Sequence, residues 1–159
     1  MPEVVSNTTP LQYLHQIGLL NILPRRYGRI LIPGAVAEEI AAGVKSGVEL
    51  PDISSLKWVE VREVAPSTWP VPRDIHIGEA EVIALGGSLD DVLLLLDDLA
   101  ARRHAKLSGL RFTGTLGLLL KAKQAGLIDA VSTYVIGLEK MGFRLAPSTR
   151  QDFLLLSGE

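Results

Sequence analysis

Residues Val92 to Leu96 form an unbroken apolar run, VLLLL, that ends on the acid pair Asp97-Asp98. A run this short, bounded by turn residues before it and acids after it, suits a strand buried on both faces. Such strands sit inside parallel sheets, and this one is expected in the middle of its sheet. Parallel neighbours are joined only by crossovers, so strands and helices must alternate along the rest of the chain.

The remaining pattern meets that demand. Val4 and Val5 stop at Ser6-Asn7-Thr8-Thr9-Pro10, a cluster of helix-capping residues, and Leu11, Leu14, Ile17 and Leu20 then recur at helical spacing. Arg29 to Ile32 reads as a second strand closed by Pro33-Gly34, followed by a short helix carrying Glu38 and Glu39. Trp58 to Val64 alternates as a half-exposed strand, and Ala65 to Arg73, with three prolines, reads as a stiff loop. Gly78-Glu79-Ala80-Glu81 opens a helix that ends at Gly86-Gly87-Ser88. Leu99 to Lys106 is a further helix, Leu110 to Phe112 a short strand, and Thr113-Gly114-Thr115 caps a helix through Gln124. Helices are expected over Ile128 to Met141 and Ser148 to Leu156. The whole, residues 1–159, is expected to be one α/β domain with a mostly parallel central sheet flanked by helices.

Composition removes whole classes of chemistry. The chain has no cysteine, which excludes disulfide scaffolds, thiolate metal sites and cysteine nucleophiles. Its 16 Lys and Arg against 18 Asp and Glu give a net charge of -2, so no global field advertises nucleic acid or an acidic membrane. The start MPEVVSNTTP lacks a signal-peptide pattern, and no stretch approaches the roughly 18 apolar residues of a membrane span; a cytoplasmic location is expected. Neither a P-loop nor a Gly-x-Gly-x-x-Gly turn is present, and His15, His76 and His104 stand too far apart to suggest zinc or a Ser/His/Asp triad.

In open parallel sheets ligands gather beyond the carboxyl ends of the strands. The polar residues at those places are Asn7 with Thr8 and Thr9, Glu38 and Glu39, Glu79 and Glu81, and Asp97 and Asp98. Acids in first helical turns are favoured by the helix dipole alone, so no single one is decisive. Their joint placement is what matters, because carboxylates gathered without Lys or Arg between them repel unless a hard cation such as Mg²⁺ or Mn²⁺ neutralises them. Ions held this way serve phosphodiester hydrolysis.

The segments VVSNTTPLQYLHQIGLLNIL (4–23), ILIPGAVAEEI (30–40), GEAEVIAL (78–85), LLLLDDLAARRHAKLSGL (93–110) and TGTLGLLLKAKQAGLI (113–128) together resemble the PIN-domain superfamily, and especially a VapC-like prokaryotic branch of unknown function. The resemblance implies a three-layer α/β sandwich and a Mg²⁺- or Mn²⁺-dependent single-strand ribonuclease with an acidic quartet. It also implies a small antitoxin protein and a second copy of the chain as partners. Carried over by position, the quartet falls on Asn7, Glu39, Glu79 and Asp98, with Glu81 as the alternative third member and Asp97 as a water-mediated or supporting ligand. The chain departs from the family at Asn7, where an Asp is expected; the amide keeps an oxygen but removes a charge. That departure keeps a non-catalytic RNA- or protein-binding module as the rival reading, and a small-phosphoester hydrolase stands behind it.

For substrate contacts, Thr8 offers a hydroxyl near the ion or a helix cap, and Arg102, Arg103 and Lys106 follow the acid pair on one helix, where they either hold an RNA backbone or form a solvated face. Trp69 is the one exposed-looking aromatic. The apolar run Phe153 to Leu156 either covers the sheet or forms a partner surface.

Overall fold

The computed structural model describes residues 2–65 and 71–159. Five strands, β1 (Glu3–Ser6), β2 (Ile30–Pro33), β3 (Val59–Arg62), β4 (Val92–Leu95) and β5 (Arg111–Thr113), form one sheet in the order β3-β2-β1-β4-β5. Every pairing is parallel. The centre is therefore β1, not the VLLLL run; β4 lies beside it, still paired on both sides. Both strands bury alternate side chains on both faces, since Val4, Val5, Leu94 and Leu95 are all fully shielded, which requires a layer of helices above and below.

Among the described residues there are eight α-helices: α1 (Thr8–Gln16), α2 (Ile22–Tyr27), α3 (Gly34–Lys45), α4 (Ile77–Gly87), α5 (Leu99–Leu107), α6 (Thr115–Gln124), α7 (Ser132–Lys140) and α8 (Pro147–Leu156). The helix expected through Leu20 instead breaks at Gly18, whose φ of 77° is left-handed, and restarts as α2. The segment expected as helix from Ile128 begins only at Ser132, although Ile128 and Val131 are core residues; its apolar periodicity reports burial, which a turn satisfies equally well. Gly86 and Gly87 belong to α4 rather than to a turn, and Gly86 is where Leu94 packs closest, with no room for a Cβ. Trp69 and its proline-rich neighbours, 66–70, fall outside the described residues.

Leu11 and Leu14 of α1, Val36 and Ile40 of α3, Val82 of α4, Ala101 and Ala105 of α5 and Leu119 of α6 close one core around the sheet. The edge strand β3 carries Glu60 and Arg62, and Glu60 pairs with Arg62 and Arg29, which blunts the edge against further pairing. Of the terminal apolar run only Phe153 joins the core; Leu155 and Leu156 are 68% and 73% exposed. No helix of the described residues is long and apolar enough to cross a membrane.

The chain leaves β1 outward to β2 and β3, then returns past β1 to β4 and β5. The order reverses between β1 and β4, and that switch point opens a crevice beyond their carboxyl ends.

Candidate active site

At the switch point the ladder runs one residue past β1: the Asn7 N–H donates to the Leu95 carbonyl at 3.1 Å. Asn7 keeps extended backbone angles at the start of α1, and its side chain does not cap that helix. Buried to 5% exposure, it directs Oδ1 toward Gly78 in the first turn of α4. A Cβ on Gly78 would stand 3.4 Å from that oxygen and 3.1 Å from Oε2 of Glu39. The missing side chain is thus what lets α4 lie close over the end of β1, with two oxygen donors left facing the bare backbone.

Glu39 is itself held. Thr8 donates its hydroxyl to Glu39 Oε2 at 2.9 Å, so Thr8 serves neither as a helix cap nor as a group open to an incoming strand; it fixes a carboxylate. Glu79, buried next to Gly78, accepts the His76 N–H at 2.7 Å and so anchors the start of α4. Asp98 stands at the start of α5 and accepts the Ala101 N–H on Oδ2 at 2.9 Å, leaving Oδ1 without a hydrogen bond among the described residues.

The electrostatics tie these acids together. Burial pushes the Glu79 carboxyl above its ordinary value; the His76 N–H opposes this, while the charges of Asp98 and Glu39 push it further up. Glu79 therefore lies within the field of both other carboxylates, and Glu39 flanks the same glycine as Asn7. In the rotamers they hold, however, no three Asp, Glu or His side chains among the described residues are grouped tightly enough to ligate one ion. The donor set is oxygen only, anionic and free of an interposed Lys or Arg ammonium or guanidinium in the contacts described. Those are the properties a hard divalent cation requires.

The other acids go elsewhere. Asp97 accepts the Thr115 N–H on Oδ1 and the Thr115 hydroxyl on Oδ2, both at 2.7 Å, so it braces β4 against α6 instead of facing Glu79. Burial raises its carboxyl, and the bonds from Thr115 together with nearby Arg102 counter that. Glu81 accepts the Ala35 N–H at 3.0 Å and links α4 to the start of α3. Of the pair, Glu79 is the one buried beside Gly78, while Glu81 lines the recess that Glu39 also borders. Glu38 and Glu39 are both exposed, and only Glu39 accepts the Thr8 hydroxyl and faces Gly78.

The sequence pattern does not single out Glu63. Its carboxylate lies over Gly34, at the rim of a recess of about 410 Å³ that Glu38, Glu39 and Glu81 also line. Strand alternation alone could not reveal that placement. For Thr115 the pattern likewise suggests only a cap; a hydroxyl opening a helix directly after β5 is the available signal.

The three cations of α5 separate. Arg102 donates Nε to the Leu96 carbonyl at 2.8 Å and stands 5.5 Å from the Phe112 ring centroid, close to the crevice. Arg103 points into another quarter, where its charge helps lower Asp74, whose main partner is His104 at 2.9 Å. Lys106 is exposed one turn further from the strand ends. Successive helical residues differ by about 100°, so 102 and 103 cannot share a face.

A doubly wound parallel sheet with acidic side chains near its switch point places the chain in the open-sheet α/β class. The DUF3368 family of PIN domains matches residues 3–159, and the chain belongs to the PIN-domain superfamily. Among solved structures, a PilT N-terminus domain protein from the hyperthermophilic archaeon Sulfolobus solfataricus P2 is similar at a TM-score of 0.57 and 22% identity, over 75% of this chain and 92% of that one; the likeness concerns the fold. No curated protein matches the chain.

Proposed function

We propose that this protein is a divalent-metal-dependent endoribonuclease acting on single-stranded RNA, with Glu39, Glu79 and Asp98 holding Mg²⁺ or Mn²⁺ and Asn7 as a neutral fourth donor. The observation that carries the reading is Glu79, a carboxyl raised first by burial and further by the charges of Asp98 and Glu39, next to the glycine that Asn7 and Glu39 face. An arrangement that costs stability in this way is explained if a cation occupies it. When bound, such an ion supplies Lewis acidity to the phosphodiester and to the attacking water.

The chain's own groups do the positioning. The Thr8 hydroxyl, the His76 N–H and the Ala101 N–H each fix one carboxylate, which removes rotamer freedom before a ligand arrives. The Asp97–Thr115 brace holds the end of β4, and Arg102 stands ready for a phosphate. Asn7 lowers the charge of the site by one, so ion affinity is reduced relative to an Asp at that position. The same reading makes the protein a cytoplasmic toxin, with a small antitoxin and a second copy as its partners. Buried, uncharged Asn7 also favours a second reading, a PIN scaffold kept for binding without cleavage.

The test is Mn²⁺-dependent cleavage of pooled single-stranded RNA by the wild type, Asn7→Asp and the double variant Glu79→Ala/Asp98→Ala. Cutting by the wild type, faster cutting by Asn7→Asp and none by the double variant is the expected result. Cutting by Asn7→Asp alone moves the natural protein to the binding reading, and no cutting by either rejects the nuclease.

A further inference from the structure

Beside the acid crevice, the carboxyl ends of β4 and β5 open into a second recess of about 510 Å³. One wall is α5 with Arg102; the facing wall is the segment between α7 and α8, which brings in Phe143 and Arg144. Asp97 and Gly114 line the end nearest the crevice, and Asp97 is the chain neighbour of Asp98.

Each group is prepared for a ligand. The Arg102 guanidinium is fixed by the Leu96 carbonyl and the Phe112 face, and a Cβ on Gly114 would overlap it while standing 2.6 Å from Asp97 Oδ1. Glycine there makes room for the Arg102 guanidinium beside Asp97 at the edge of the recess. The Asp97 charge is answered by Thr115 and by Arg102, whereas Arg144 is exposed and makes no ion pair among the described residues. The recess therefore carries one uncompensated positive charge. Phe143 is held edge-on by Tyr13, with centroids 5.1 Å apart at 78°, and offers ring surface to the cavity.

We infer that this recess binds one nucleotide of a single-stranded RNA next to the cleaved linkage, its phosphate at Arg144 and Arg102 and its base against Phe143. A lone phosphate has no use for the ring, and an apolar ligand has none for two guanidinium groups. The volume falls in the range of small-ligand sites, and stacking on one aromatic ring is tolerant of base identity. The inference rests on the ribonuclease reading for its choice of RNA.

The experiment measures fluorescence anisotropy of a labelled ten-nucleotide single-stranded RNA in EDTA, so that binding is read without cleavage, with the wild type, Arg144→Ala, Arg144→Lys and Phe143→Leu. Arg144→Ala should weaken binding about tenfold at low salt and reduce the logarithmic salt slope by about 0.7. Arg144→Lys should keep the slope, and Phe143→Leu should weaken binding about five- to hundredfold with the slope unchanged. Arg144 is exposed, so its variants test the site without risk to the fold, and thermal melting verifies Phe143→Leu. If the wild type binds and cuts RNA while all variants bind alike, the recess is refuted and the nuclease stands. If the wild type binds no RNA in EDTA, the recess is refuted, and the nuclease reading is decided separately by the Mn²⁺-dependent cleavage assay. Arg144-dependent binding of polyglutamate, with RNA binding unaltered by the variants, assigns the recess to an acidic protein segment and overturns the inference.

Discussion

A methyl group added at Gly78 would stand between the two oxygens that face this glycine, 3.1 Å from Glu39 Oε2, 3.4 Å from Asn7 Oδ1 and 3.5 Å from Val36 Cγ2. Gly78 has no left-handed backbone angle to lose, and Ala in a helical turn is favoured over Gly by about 0.5–1 kcal/mol. The 3.1 Å contact takes back a few tenths, because Glu39 must shift slightly and strain its bond from Thr8. The fold should therefore be left within about 1 kcal/mol of the wild type, a change in melting temperature of about 2–4 °C for a domain of this size. The space beside the carboxylates is filled, by contrast, and Mn²⁺ affinity should fall about 10–100-fold, as it does when groups supporting a ligand set are displaced. Calorimetric titration with Mn²⁺, alongside thermal melting in EDTA, measures both numbers. A Gly78→Ala protein that melts normally and binds Mn²⁺ as tightly as the wild type would refute the placement of the ion at this glycine.

Burial raises the folded-state value of Glu79 above the ordinary 4.5, so the stability this group contributes is complete below that value and is lost as pH rises through the folded one. Glu79→Gln, which keeps an acceptor for His76, should match the wild type in acid and melt higher at neutral pH in EDTA; equal melting curves at all pH values would contradict the shift. Glu159 behaves oppositely, since Lys123 and the N–H groups of Val131 and Ser132 bring it down to about 2. Its contribution is present above 4.5 and disappears as pH falls toward 2, so the gap in urea midpoint between wild type and Glu159→Gln should narrow with acidification. Thr115→Val leaves one buried oxygen of Asp97 unpaired and should cost about 1–3 kcal/mol by urea unfolding; an unchanged midpoint would show that water replaces the hydroxyl.

The strands and most helices were legible because burial on both faces writes continuous apolar runs, and helix ends write caps. VLLLL gave its strand, and GEAEVIAL gave the start of α4. Element ends were less legible: Ile128 and Val131 look helical because core positions recur whether or not the backbone coils. The position of β1 at the centre was invisible, since strand order depends on which crossovers pack and not on local hydrophobicity. At the site, residue type and place near the strand ends supplied a pool of oxygen donors, and the resemblance to PIN domains picked Asn7, Glu39, Glu79 and Asp98 out of it.

What the sequence by itself determined is the alternating α/β plan and the list of oxygen donors that can meet at the strand ends, because both follow from short-range pattern and side-chain chemistry. Only the tertiary structure decided how those donors are used. It committed Asp97 to Thr115 and Glu81 to Ala35, turned Arg102 inward and Arg103 away, and carried Phe143 and Arg144 to the end of β5. Each of these is a contact between residues far apart in the chain, fixed by the packing of whole helices on the sheet, and no local pattern records it.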